Sequence, residues 1–576
     1  MPVANDGPLM NSDLGDKLVE LKSLALKILE TDPKNSDALN GLGLVSMQLE
    51  AFDYAVSLFQ EAHNIAPKRE EYTDNLIKSL GLLSQSMCDA ERLPEATKFL
   101  EQALLIKPND VLLMSRLSLI LGLSNRNEEA LVISEQAISS QPKSAKAHEV
   151  NGLALLGLDR IDPAINSLRT AIKYDNLSAS LHSNLGLAYR AKGDLVEAIK
   201  CFERAIDLDE NHIQAYNNLG VSYLESHKLD RAQEALAKAI DIDYHFAEAH
   251  FNLSRTLLMA EKFEAGWEHN EWRWHCPTFP STKRNFPQPI WNGEDIKNKK
   301  ILVWSEQGIG DEIMFANTLP ELVGNSASVL LECSERLVPI FRRSFEGMHV
   351  FSREDPPSPE IKNFNADVQI PLGSICKFYR TKSTDFPTDH NGYLRSNPKL
   401  TKEVKSLYSS LGPGLKIGVS WRSGNPIVGQ HRSIPIKFWH EIFSTKGCHF
   451  INLQYGDYKE DLTKILDATG VNIFHDNSIN PIISAEHWFS QIAALDLVIS
   501  IDNSTMQVSG ALGIPTWTLV SHNPEWRFGL NRLDHLWHPT VRIFRQQTQG
   551  EWVPLMREVT KALTLFIKSK NELGST

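Results

Sequence analysis

The sequence predicts an α-solenoid followed by an α/β half built from two doubly wound domains. Three observations predict it. A 34-residue helix–turn–helix period runs through the first half. From Lys300 onward, short β-rich runs alternate with helical stretches. The region LTKEVKSLYSSLGPGLK divides those runs into four and six.

The solenoid comes first in the chain. Four segments align: AISSQPKSAKAHEVNGLA, AIKYDNLSASLHSNLGLA, AIDLDENHIQAYNNLGVS and AIDIDYHFAEAHFNLSRT. Pro142, Asn176, Glu210 and Tyr244 hold one phase, and Gly152, Gly186, Gly220 and Ser254 another, ten residues further on. Ala164, Ala198 and Ala232 are the matching small residues on the second helix, as close helix crossing requires. Pro33 and Pro67 continue the 34-residue spacing toward the N-terminus, and the 41 residues from Pro67 to Pro108 imply an insertion around QSMCDAERLP. The period resembles the tetratricopeptide repeat, with about seven copies over roughly residues 13–270. Such units stack into a curved array with a concave groove.

Asn184, Asn218 and Asn252 share one helix position in three successive repeats. In the O-GlcNAc transferase family, which these repeats resemble, such asparagines form a ladder along the groove and hold a peptide backbone. A carboxamide suits that task because it both donates and accepts. The alternative is that NLG is simply common in repeat helices.

Residues 277–299 read as a linker, because Pro277, Pro280, Pro287 and Pro289 break regular structure. Before it, Gly266–Cys276 reads as a capping helix whose aromatics, with Phe263, dock the solenoid onto the next domain. The expected organisation is a disordered stretch 1–12, a solenoid 13–276, the linker, α/β domains 300–410 and 411–550, and a C-terminal helix 551–576.

The expected strands are Ile301–Trp304, Ser328–Leu331, Val350–Phe351 and Val368–Ile370, then Ile417–Trp421, Phe450–Leu453, Asn472–Phe474, Leu497–Ile501, Thr516–Val520 and Arg542–Phe544. Alternation with helices implies mostly parallel sheets, whose ligands lie beyond the carboxyl ends of the strands.

Three motifs sit at such ends. In SEQGIGDEIMFANTLPELV, Gly308 and Gly310 let the backbone bend, and Asp311 and Glu312 begin a helix expected at Ile313–Val323. A carboxylate there also favours the positive helix end without any further role. The loop after Ile417–Trp421 carries Arg422, Ser423, Gly424, Asn425, His431, Arg432 and Ser433. Guanidinium groups fork onto phosphate oxygens, so the loop suits a diphosphate better than it suits an idle polar surface. In LDLVISIDNSTMQVSGALGIPTWTLV a strand ends at Asp502, and a helix starting near Ser504 offers amides and the Ser504 and Thr505 hydroxyls to an anion. Asp502 reads as an N-cap or a ribose partner.

Taken together, EQGIGDEIMFA, IGVSWR, NLQYGD, ISIDNSTMQVSGALGIPTW and WHPTVRIFRQ resemble the heptosyltransferase-like glycosyltransferases, with two Rossmann-like domains in the GT-B arrangement. More closely, they resemble repeat-bearing bacterial members that modify proteins, flagellin among the implied acceptors. The resemblance implies that Asp311 is the general base on the acceptor hydroxyl. It implies that Gly308, Gly310, Asp502, Asn503, Ser504, Thr505 and Gln507 line the donor site, and that Arg422 and Arg432 neutralise the leaving diphosphate. Gln507 stands where the family pattern has histidine, so a proton-transfer role at that position is lost. In GT-B enzymes the last helix crosses back to the first domain, and the same is expected here.

The implied activity is inverting transfer from a nucleotide-sugar, which is a substrate, with no cofactor. No DxD lies in a βα loop, so no metal is expected. The alternatives are transfer to a lipid or polysaccharide, which would leave the long repeat array without a task, and a scaffold whose α/β half has lost activity.

Composition narrows the classes further. A net charge of -12 disfavours a nucleic-acid partner, because phosphate contacts need clustered Lys and Arg. Six scattered cysteines with no CxxC spacing fit a reducing compartment better than a disulfide framework. The N-terminal stretch lacks a basic start followed by an apolar core, and no run of about 18 apolar residues occurs, so the cytoplasm is expected.

Overall fold

The computed structural model describes residues 12–424 and 429–573. Most of the stretch expected to be disordered, residues 1–11, lies outside the described residues, as does Asn425; Ser12 opens the helix Ser12–Thr31. The chain divides into two compact units between Ser222 and Tyr223.

The first unit is a series of helical hairpins, for example Ser36–Gln48 with Phe52–Ile65 and Ala179–Lys192 with Leu195–Leu208. The sequence period is a period of caps. Asn35, Asp110, Ser144 and Ser178 each follow the Pro33-type position by two residues, and each side chain accepts a hydrogen bond from the first turn of its helix. Such a cap contributes about 1 kcal/mol. The hairpin turns repeat as well. Glu50, Glu91, Asn125, Asp159, Gly193, His227 and Glu261 all have positive φ. They lie 34 residues apart after a first interval of 41. The helix Glu70–Asp89 has 20 residues where Val111–Leu123 has 13, so the insertion lengthens one helix by about two turns.

The small residues at the crossings are sterically required. A Cβ on Gly43 would lie 2.7 Å from Phe59 Cε1, one on Gly152 2.6 Å from Leu168 Cγ, and one on Gly186 2.6 Å from Phe202 Cε1.

The second unit starts with the hairpin turn at His227, then the helices Leu229–Ile242 and Ala247–Met259. The expected capping helix runs Phe263–Asn270 and tightens into a 3-10 turn, Glu271–His275. Trp267 is buried and donates to the Arg380 carbonyl at 2.7 Å. Arg273 and Glu306, both fully buried, form a two-pronged ion pair at 2.8 and 2.7 Å, with Glu271 and Ser374 completing the guanidinium's partners. Burial acts to raise the Glu271 carboxyl, but Arg273 and Ser374 more than offset it and hold it low.

Two wholly parallel sheets follow. The first is ordered β3-β2-β1-β4, from β1 (Lys300–Trp304), β2 (Ser328–Cys333), β3 (His349–Ser352) and β4 (Val368–Pro371). The second is ordered β6-β5-β7-β8-β9, from β5 (Leu415–Ser420), β6 (Cys448–Asn452), β7 (Leu497–Ile501), β8 (Thr516–Val520) and β9 (Val541–Arg545). Nine of the ten expected strands form. Asn472–Phe474 contributes only a bridge between Ile451 and Phe474. Part of the expected linker is bound along β4, where Trp291 donates to the Gln369 carbonyl and Gln369 to the Pro289 carbonyl, both at 2.9 Å.

Strand order reverses direction between β1 and β4 in the first sheet and between β5 and β7 in the second. These are the switch points at which open α/β sheets leave a crevice beyond their carboxyl ends. One continuous apolar core includes Ile313, Met314 and Leu319 beside the first sheet and Val498, Val508 and Trp537 from the second half.

Two expectations need correcting. The helix expected at Ile313–Val323 starts earlier and is broken: Ile309–Phe315, a 3-10 turn Ala316–Thr318, then Leu319–Asn325. Pro320, in the first turn of the last piece, has no N–H to continue one helix. The C-terminal helix, Val553–Leu573, does not cross back. Its stripe Leu555, Val559, Leu563 and Ile567 is buried in the core of the second sheet, with Ile417, Ile499 and Leu519.

Candidate functional site

The carboxyl end of β1 runs into the glycine turn. Gln307, with φ 63°, makes the bend; Gly308 is extended, and the helix starts at Ile309. Asp311 and Glu312 therefore lie in the first turn, and they diverge. Glu312 turns into the protein, where it accepts from the Ser334 amide at 3.0 Å and from the Ser334 hydroxyl, and burial raises its carboxyl. Asp311 reaches toward the second sheet, where its Oδ1 lies 3.2 Å from Arg527 Nη1.

Asp311 is one end of a chain of alternating charges. Arg527 Nε is 3.6 Å from Asp502 Oδ1, and Asp502 Oδ2 is 3.3 Å from Arg432 Nε. Arg432 is also paired with Glu525, whose Oε2 lies 3.8 Å from Arg255 Nη2. Asp502 is only 5% exposed, and burial raises its carboxyl against the pull of Arg527 and Arg432. Burial also works to raise Glu525, but Arg255, Arg432 and Arg527 outweigh it and bring that carboxyl down to about 2. The chain of charges joins the ends of β1, β5, β7 and β8.

The N-cap of the helix Ser504–Ala511 is Asn503, not Asp502. Its Oδ1 accepts from the Thr505 amide at 3.0 Å and the Met506 amide at 3.3 Å, and its Nδ2 donates to Ser420 Oγ at 2.8 Å. The second and third helical amides are thus engaged by the protein's own side chain. Thr505 is fully buried. Ser504 faces Gly310: a Cβ on Gly310 would lie 3.7 Å from Ser504 Cα and 3.6 Å from Gln507 Cγ. Gln507 Oε1 accepts from His538 Nε2 at 2.7 Å. A histidine therefore stands beside position 507, supplied from the far side of β8. Burial lowers it to about 3, so it stays neutral.

Of the expected site residues, Asp311, Gly310, Arg432, Asp502, Ser504 and Gln507 converge. Gly308 borders Asp311, whose amide donates to its carbonyl at 2.9 Å. Arg422 is turned elsewhere, with its guanidinium 3.3 Å from Asp461. Among the asparagines, Asn184 donates to Glu149 Oε1 at 3.0 Å. Asn252 lies on a partly exposed stripe of the helix Ala247–Met259 with Glu248 and Arg255, and Asn218 is partly exposed at the same position of the preceding repeat. Sequence reasoning missed Arg255, Glu525, Arg527 and His538. NPEWRFG comes directly after β8, so its place at a strand's carboxyl end was the available signal. Among the described residues, no helix is long and apolar enough to cross a membrane.

Within the helical half, residues 177–245 match a family model described as the tetratricopeptide repeat. A protein of Caulobacter vibrioides named FlbA is 31% identical over 317 residues, which cover 53% of this chain and 53% of that protein. The chain thus matches about half the length of this curated relative. A thermophilic TPR protein of Thermus thermophilus is 21% identical, covering 32% of this chain and 99% of its own at a TM-score of 0.30. MamA of Desulfovibrio magneticus, from residue 41 on, is 20% identical, covering 30% and 96% at a TM-score of 0.26.

Proposed function

We propose that the chain is a cytoplasmic protein glycosyltransferase of the GT-B arrangement, with a repeat array that captures the acceptor polypeptide. What carries this reading is the juxtaposition of Asp311, at the switch point of the first sheet, with Arg527, Asp502 and Arg432 at that of the second. In the proposed reaction the acceptor Ser or Thr oxygen attacks the anomeric carbon of a nucleotide-sugar. Asp311 takes the hydroxyl proton, the bond from the anomeric carbon to the diphosphate oxygen breaks, and Arg432 and Arg527 draw the departing charge. Flagellin is the acceptor that the family resemblance implies. Intact-mass spectra of a candidate acceptor, from cells with and without this protein, test the reading. A discrete sugar-sized mass difference supports it, and identical spectra for every acceptor that co-purifies with the repeats count against it.

One observation favours a second reading, a repeat scaffold with an inactive α/β half. At the helix end that would hold a diphosphate, Asn503 takes the Thr505 and Met506 amides, and Gln507 is bonded to His538. Titration of the full chain with nucleoside diphosphates separates the two: saturable binding supports the transferase, and its absence supports the scaffold.

A further inference from the structure

We propose that the end of the repeat array positions the α/β site, and that Arg255 is a positioning residue for Asp311. The consequence for turnover rests on the transferase reading; the positioning does not. The segment 521–538, between β8 and β9, is held at four points by residues of the last hairpins. The rings of His227 and His522 lie 4.5 Å apart. Arg255 Nη2 is 3.8 Å from Glu525 Oε2. Both oxygens of Glu261 accept from Arg532 Nη1, at 3.2 and 3.3 Å. Trp267 meets Trp526 edge-on, with centroids 5.4 Å apart.

These grips recur with the repeat. His227 and Glu261 are the left-handed turn residues of successive hairpins, so the turn geometry that builds the solenoid also presents them to the segment. Between the grips the segment carries Glu525 and Arg527. Glu525 is shared by Arg255 and Arg432, and Asp502 by Arg432 and Arg527, so each carboxylate fixes two guanidinium groups. Arg527 then meets Asp311. Arg255 is the most exposed member of this chain of charges, with 39% of its side chain accessible, and it lies one helical turn beyond Asn252. Whatever occupies that stripe of the last repeat therefore meets the charges at their outer end.

The test is hydrogen exchange on the full chain carrying Arg255→Gln and Glu261→Gln. Exchange across 521–538 is expected to quicken about fivefold while β7 and β8 are unchanged, because the lost pairs are partly buried and local. Arg255→Lys in place of Arg255→Gln should recover part of the protection. Unchanged exchange in 521–538, or equal acceleration in β7 and β8, overturns the proposal. Unchanged sugar transfer in a variant whose segment has loosened also overturns it, because Asp311 is then positioned without the relay. A parent chain that transfers no sugar removes the transferase reading and leaves the exchange result standing.

Discussion

Asp311 and Arg527 are separated by 216 residues of chain and by 3.2 Å of space. One belongs to the turn after the first strand of the first sheet, the other to the segment after β8. Their contact means that the two switch points face each other, and that the candidate base has a fixed cationic neighbour.

On the proposed transferase reading, Asp311→Asn should slow transfer sharply without harming the fold. Asparagine keeps the shape and still accepts a bond from Arg527, but it cannot take a proton. General-base loss is expected to slow transfer by about a hundredfold or more. Rates of acceptor mass gain, read alongside thermal unfolding, check this. Full activity in the variant would show that another group takes the proton.

The Arg273–Glu306 pair leads to a stability prediction. Both side chains are fully buried, so removing one leaves the other charge without its partner. Arg273→Met should cost about 3–5 kcal/mol. Arg273→Met with Glu306→Leu should recover much of that, because no buried charge is then stranded on the Glu306 side. Urea midpoints followed by tryptophan fluorescence distinguish the cases, and a double variant no better than the single one would show that the pair holds more than its own charges.

Much of this architecture was legible in the chain. The repeat was readable because cap, turn and crossing residues all recur at one spacing, so weak signals add. Buried parallel strands were readable because both faces are covered and the runs are apolar throughout. The three residues Asn472–Phe474 were too short for that signal to separate a strand from a bridge. The bend before Asp311 falls on Gln307, a residue type with no preference for positive φ, so the sequence marks the neighbouring glycines and not the bend itself. Glu525 and Arg527 acquire their meaning from His227, Arg255, Glu261 and Trp267, more than 250 residues upstream, and no local pattern announces contacts of that range.

The two glycines that border the site should respond differently to alanine. A Cβ on Gly510 would lie 2.5 Å from His538 Cγ and 2.6 Å from its Cβ, so helix or ring must shift. Gly510→Ala is expected to destabilise by about 1–3 kcal/mol. A Cβ on Gly310 would sit in ordinary contact, 3.6 Å from Gln507 Cγ, so Gly310→Ala should fold like the parent. Calorimetric melting of both variants checks the contrast, and equal losses would contradict the packing described around Gly510.

His535 and His538 predict how acid acts on the fold. Their rings are buried and stacked, 5.2 Å apart at an interplanar angle of 6°. Burial lowers His538 to about 3, and burial with the neighbouring His538, Arg527 and Arg532 lowers His535 well below its ordinary value of 6.5. The unfolded chain therefore binds protons below about pH 6.5 that the folded chain refuses. Stability is full above that value and falls as pH drops toward 3, at up to about 1.4 kcal/mol per pH unit for each histidine. Glu525 adds a loss of the same sign only at lower pH, since its carboxyl is displaced from 4.5 down to about 2. Other half-buried histidines such as His227 and His269 shift in the same direction, so the comparison has to be made within one variant. His538→Gln keeps an amide donor for Gln507 and does not titrate. Between pH 6.5 and 5 its urea midpoint should fall less than the parent's, by the equivalent of about 2 kcal/mol. The same slope in parent and variant would mean that His538 is already protonated in the folded chain.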